Sequence, residues 1–254
     1  MIQSHHIYII LRDLRYFSNR AKLVLMQKFL IDHIDPLGQG VFKQNEDVFF
    51  IPKTLTGEEG YFSIVKRKKG VHFGKLEKLT KPSPLRIEAT CEHFATCSGC
   101  HFLHTTQENE LTQKEKTFTR WLQGIEHPPI EKIFLEQRLN YRNRIQLHYD
   151  QKLIGFNVSK TNRILPVPKC QIMEPALENA YRDFLSSWQS LREQNNQPSK
   201  GHVELYLKDD EVKVIWNQSY ASGGFTQVHS QMNQLVQNWV SEKYPHISGG
   251  LLEL

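Results

Sequence analysis

Between Phe29 and Leu76 short apolar runs alternate with turn-forming clusters. Residues 29–31, 40–42, 48–52, 61–65 and 72–76 are the runs. Asp35-Pro36-Leu37-Gly38, Asn45-Glu46-Asp47 and Thr56-Gly57-Glu58-Glu59-Gly60 separate them. Five short strands with turn chemistry between them in some fifty residues predict a small closed β-barrel of oligonucleotide-binding type. Lys81-Pro82-Ser83-Pro84 reads as a stiff connector after it.

The period then changes. Leu111, Phe118, Trp121 and Leu122 recur near helical spacing, predicting a helix over 105–124 that Gly124 and His127-Pro128-Pro129 stop. Strands are expected at 141–149, 153–157, 203–207 and 212–216. A helix over 171–192 carries an apolar stripe at Ala176, Leu177, Ala180, Tyr181, Phe184, Leu185 and Trp188. A last helix over 230–244 carries Met232, Leu235, Val236, Trp239 and Val240 on one face; both stripes are expected to be core, with part of the Trp239 face left uncovered. The chain finishes on Leu251-Leu252-Glu253-Leu254, read as the opening of an apolar strand.

At 254 residues the chain can hold about two domains, with an ordinary globular composition. No apolar stretch is long enough to span a membrane, and a soluble cytoplasmic monomer is expected. Charge is uneven. Residues 1–85 hold 14 Lys/Arg against 8 Asp/Glu, and the rest 18 against 19. A basic front end fits a polyanion, nucleic acid first, or else a merely solvated basic face. Residues 1–26 have their arginines after the apolar run, the reverse of a secretory signal, and are expected to be a dispensable extension; a mitochondrial presequence stays open.

Candidate chemistry is concentrated in the four cysteines. Cys91, Cys97 and Cys100 lie within ten residues, and Cys170 follows seventy residues later. Soft thiolates select an iron–sulfur cluster or zinc over hard cations. Only Cys97 and Cys100 form a Cys-x2-Cys hook, which favours the cluster over structural zinc, with unligated core thiols as the third reading. His93, His101 and His104 flank the loop without a metal pattern of their own. Lys66-Arg67-Lys68-Lys69 is either a solubilising hairpin tip or a grip on phosphates.

Cys91-x5-Cys97-x2-Cys100-His101 with a distant Cys170 resembles the iron–sulfur loop of the TRAM-domain RNA (uracil-5-)-methyltransferases of the RumA/TrmA type. Gly38-Gln39-Gly40-Val41, Ile51-Pro52-Lys53-Thr54-Leu55-Thr56-Gly57-Glu58 and Val65-Lys66-Arg67-Lys68-Lys69-Gly70 look like a TRAM domain. Tyr141-Arg142-Asn143-Arg144 and Ile154-Gly155-Phe156 are similar to the family's central domain, and Phe225-Thr226-Gln227 to its Phe-x-Gln signature. The resemblance implies an α+β chain in four parts. These are the extension, an OB-like TRAM barrel over 27–85, a mixed α/β iron–sulfur central domain over 86–224, and over 225–254 the truncated start of a Rossmann-like methyltransferase domain.

It further implies methyl transfer from S-adenosylmethionine to C5 of a uridine in ribosomal or transfer RNA. A cysteine thiolate would add to C6 of a base drawn out of its stack. A 4Fe-4S cluster would sit on Cys91, Cys97, Cys100 and Cys170. Lys66, Arg67, Lys68 and Lys69 would face RNA, Arg142 or Arg144 would face RNA or lie beside the cluster, Phe225 would pack the target base and Gln227 would lie near the cofactor. The family's usual Asn two residues after that Gln is His229 here. No cysteine follows Cys170, so the nucleophile and general base have no counterpart and the chain alone is expected to be inactive. Two other readings stay open: a non-catalytic iron–sulfur RNA-binding module, and a zinc-bound ribosome-associated protein.

Overall fold

The computed structural model describes residues 26–127, 129–130, 137–159 and 161–244. Residues 1–25 of the expected extension and the expected strand at 251–254 therefore lie outside the described residues. The chain divides into two compact units. One holds the described residues up to Ala95 together with Cys100–His127; the other holds Thr96–Gly99 and the described residues beyond His127. The division thus falls beyond the Pro82/Pro84 connector, because 86–95 and the helix after Cys100 go with the first unit.

The first unit is a six-stranded sheet followed by a helix. Its strands are β1 (Gln27–Leu30), β2 (His33–Ile34), β3 (Gln39–Gln44), β4 (Asp47–Pro52), β5 (Glu59–Lys68) and β6 (Val71–Lys81). They lie in the order β1-β5-β6-β4-β3-β2, antiparallel except where β4 runs parallel to β6. The two ends of this order, β1 and β2, are neighbours in sequence. Between them Ile31 donates to Glu58 and accepts from Gly57, on the β5 side, while Asp32 donates to Val41 of β3. One bent segment therefore changes partners, and the sheet is curled into a half-barrel rather than a cylinder of continuous ladders. The expected strand count of five becomes six, because His33–Ile34, outside the five apolar runs, pairs with β3 as a strand of its own.

Phe29, Ile31, Ile34, Phe42, Phe49, Ile51 and Phe62 fill the inside of the curl. Phe42 and Phe49, opposed across β3 and β4, stack at 4.7 Å, and Phe62 meets both edge-on. Gly74 is where this packing leaves no room: a Cβ there would lie 2.6 Å from the Phe62 ring. α1 (Gln107–Trp121) is capped by Thr106, whose hydroxyl accepts from the Asn109 N–H. The helix forms as expected, but Asn109 is its buried residue, whereas Phe118 and Trp121 face water.

The second unit is a five-stranded antiparallel sheet in the order β11-β10-β7-β8-β9, with helices α2 and α3. Its elements are β7 (Arg144–Tyr149), β8 (Ile154–Asn157), β9 (Ile164–Leu165), α2 (Pro175–Gln194), β10 (Gly201–Lys208), β11 (Glu211–Trp216) and α3 (Ser230–Lys243). Ile145, Leu147, Tyr149, Val203 and Leu205 alternate onto one face, where Leu177, Tyr181, Phe184 and Trp188 of α2 cover them. Asp209 and Asp210 both take positive φ, +52° and +60°, the geometry of a two-residue hairpin turn between β10 and β11. The stripe on α2 is core as expected. On α3, where part of the Trp239 face is expected to be uncovered, none of the described residues is buried.

Candidate RNA-contacting surfaces and the cysteine loop

In the first unit, Lys66, Arg67 and Lys68 end β5 and Lys69 forms the turn with Gly70, whose φ is +68°. A register shift at Val65 precedes them, and every residue from Val65 to Gly70 is exposed. Four cations thus stand together on a protruding hairpin, with side chains free of the apolar interior. Such a tip can grip a phosphate backbone without reading sequence.

The segment behind the sheet is fastened by a buried ion pair. Glu58 is fully buried and accepts from Arg86 at both oxygens, Nε to Oε1 at 2.6 Å and Nη2 to Oε2 at 2.7 Å. The Leu55 and Ser83 N–H groups donate to the same carboxylate. Burial works against the Glu58 charge, but these four donors outweigh it and hold its carboxyl below the usual range. His104, 2% exposed, stacks on Phe94; burial, and secondarily the Arg86 charge, push its pKa down to about 4.

The cysteine loop is shared between the units. Cys91 and Cys100 belong to the first unit, Cys97 and Cys170 to the second, and all four are half-buried thiols. Within the second unit Cys97 bridges Val158, Ser98 donates to the Asn157 carbonyl, and Ser159 donates to Thr96. The short stretch 96–99 is therefore held on the strand that contains β8. Burial raises the Tyr181 pKa, and Cys170 and then Cys97 add to the rise. Among the described residues, no group of three or more His, Cys, Asp or Glu side chains is gathered so as to hold a metal ion.

Arg144 lies on the sheet face opposite α2. Arg144 is 1% exposed; it donates to Glu204 at 2.8 Å and to the Gly224 carbonyl at 2.7 Å, and its guanidinium lies 4.2 Å from the Tyr206 ring centre. This corrects the expectation that Arg144 faces RNA, since a guanidinium buried to this degree offers no surface, although its Nε has no hydrogen-bond partner. Arg142 is half-buried, with its Nε donating to the Arg144 carbonyl. Phe225 is 72% exposed and Gln227 is exposed too. The Gln227 carbonyl accepts from Asn143, leaving its amide side chain toward water.

Sequence reasoning missed Asn143, Glu204 and the use of His229. The His229 Nδ1 accepts from the Met232 N–H and caps α3, and its ring stacks on Tyr141 at 4.6 Å. An imidazole nitrogen thus does there what an asparagine side-chain oxygen does at other helix starts. The signal for Glu204 was a charged residue between Val203 and Leu205 in an apolar strand.

No family model matches the chain. Among curated proteins it is similar to the 23S rRNA (uracil(1939)-C(5))-methyltransferase RlmD of Vibrio campbellii, with 29% identity over 207 residues, 77% of this chain and 46% of that protein. The same-named protein of Vibrio vulnificus is 30% identical over 210 residues, 77% of this chain and 47% of that one. Among solved structures, the Pyrococcus abyssi tRNA (uracil-54, C5)-methyltransferase in complex with S-adenosyl-L-homocysteine shares the fold. The TM-score is 0.50 at 22% identity, over 74% of this chain and 45% of that one. The chain spans about half the length of the curated relatives it matches. Over that span, its homologues are RNA (uracil-5-)-methyltransferases.

Proposed function

We propose that this chain is the RNA-engaging part of an RNA uracil-C5-methyltransferase that takes its methyl group from S-adenosylmethionine and acts on ribosomal RNA in the cytoplasm as a monomer. The observation that carries the reading is the match to 23S rRNA uracil-C5-methyltransferases over 77% of the chain. Two features of the surface support it. The hairpin at 66–69 offers four exposed cations, which suit a backbone grip. Phe225 offers an exposed ring, which suits stacking on an unpaired base, with the Gln227 amide two residues on for polar contact with base or cofactor. Arg142 is the remaining basic candidate near that ring's segment.

The finer reading of the cysteines is that Cys91, Cys97, Cys100 and Cys170 hold a 4Fe-4S cluster. Its support is the spacing of the thiols. The cluster would tie the cysteine loop down, and no step of methyl transfer is assigned to it.

The test is deletion of the gene that encodes this chain, with mass-spectrometric mapping of 5-methyluridine in ribosomal and transfer RNA. Loss of a specific 5-methyluridine, restored by the gene in trans, is the expected result. An unchanged set of 5-methyluridines contradicts the reading.

A further inference from the structure

We infer that the buried Arg144–Glu204 pair is a positioning device: it holds segment 217–228 against the sheet so that Phe225 stands out as a stacking platform for an RNA base. The inference rests on the RNA-binding reading above.

Residues of β7 and β10 alternate between two faces. One face is the apolar contact with α2, which is complete without charge. The ion pair lies on the other. Burying two charges costs enough that apolar residues of similar size usually serve stability as well. A second use for the charges is visible in where their remaining bonds go. Arg144 Nη2 donates to the Gly224 carbonyl at 2.7 Å, and Glu204 Oε2 accepts the Ala221 N–H at 3.2 Å. Next along the chain, Asn143 donates from Nδ2 to the Gln227 carbonyl at 2.9 Å and from its N–H to the Val228 carbonyl at 3.0 Å. The backbone is therefore held at residues 221, 224, 227 and 228, on both sides of Phe225.

The fit to the sheet is close. A Cβ on Gly223 would lie 2.2 Å from the Tyr206 hydroxyl oxygen, and that ring lies under the Arg144 guanidinium. Gly224 takes φ +107°, a region that side-chain-bearing residues avoid, and so sets the turn into Phe225. Yet the side chain that this pinned segment displays is the most exposed large apolar one among the described residues, at 72%. A segment fixed at four backbone points that leaves its aromatic ring in water is not burying that ring for stability. A ring held still on a rigid base suits stacking by an unpaired base, since little conformational freedom is then lost on binding.

The test measures binding of a fluorescein-labelled single-stranded oligouridine to the full chain by anisotropy, with denaturant unfolding of each variant in parallel. Arg144→Lys keeps a charge opposite Glu204 but lacks the planar fork that also reaches Gly224. Phe225→Ala and Arg144→Lys are each expected to weaken binding about tenfold, the scale of one lost base–aromatic stack, and the double variant to bind no more weakly than either. Gly224→Ala, which disturbs the turn and leaves both ions in place, is expected to do the same and covers the case in which Arg144→Lys fails to fold. Additive losses, or undiminished binding by a folded Arg144→Lys or Gly224→Ala protein, overturn the inference. Binding that Phe225→Ala leaves unchanged overturns it alone; no binding by the unaltered chain overturns the RNA reading as well.

Discussion

Arg144 Nη1 meets Glu204 Oε1 at 2.8 Å, with side chains 1% and 4% exposed, across sixty residues of sequence. Removing one member leaves the other charged, buried and unpaired. Arg144→Ala or Glu204→Ala should each cost about 3–5 kcal/mol of unfolding free energy. Arg144→Met with Glu204→Leu should cost less than either single change, because neither charge is stranded. Urea titrations of the three variants check this; additive losses in the double variant would contradict it.

His104 makes stability fall on acidification in a defined window. Its pKa is pushed from 6.5 to about 4 in the folded chain, chiefly by burial. Above pH 6.5 it is neutral in both states and contributes no pH dependence. As pH drops from 6.5 toward 4, the unfolded chain takes up the proton and the folded one does not, so unfolding is favoured by on the order of 3 kcal/mol at the acid end. His104→Leu should flatten this part of the stability–pH curve. Glu58, also held low, acts in the same direction but only below its ordinary value of 4.5.

Local signals revealed most of the elements and little of this chemistry. Apolar recurrence marked α2, and alternation marked β7, β10 and β11. The two-residue strands β2 and β9 are too short to carry a period, and the switch of partners at Ile31–Asp32 depends on tertiary hydrogen bonds. In Tyr141-Arg142-Asn143-Arg144 both arginines read alike. Only the distant Glu204 distinguishes them, by drawing Arg144 under segment 217–228 while Arg142 stays half-buried.

The Asp209-Asp210 turn is strained by side chains at two positive φ angles. Replacing it with Asn-Gly, the preferred pair for that geometry, should stabilise the second unit by about 0.5–1 kcal/mol. Thermal melting decides it; an unchanged or lowered midpoint contradicts the assigned turn.

Protein purified under strict exclusion of air should contain iron and acid-labile sulfide in equal amounts, with a broad visible absorption that Cys170→Ser abolishes. Stoichiometric zinc without sulfide, or a metal-free and colourless protein, would contradict the proposed cluster.

The most direct test of the central claim is the salt dependence of single-stranded RNA binding by the full chain and by the variant with Lys66, Arg67, Lys68 and Lys69 all replaced by alanine. The account predicts measurable binding whose logarithm falls linearly with the logarithm of salt, and a slope shallower by about 3 in the variant. Equal slopes for the two proteins, or no binding by the unaltered chain, would contradict it.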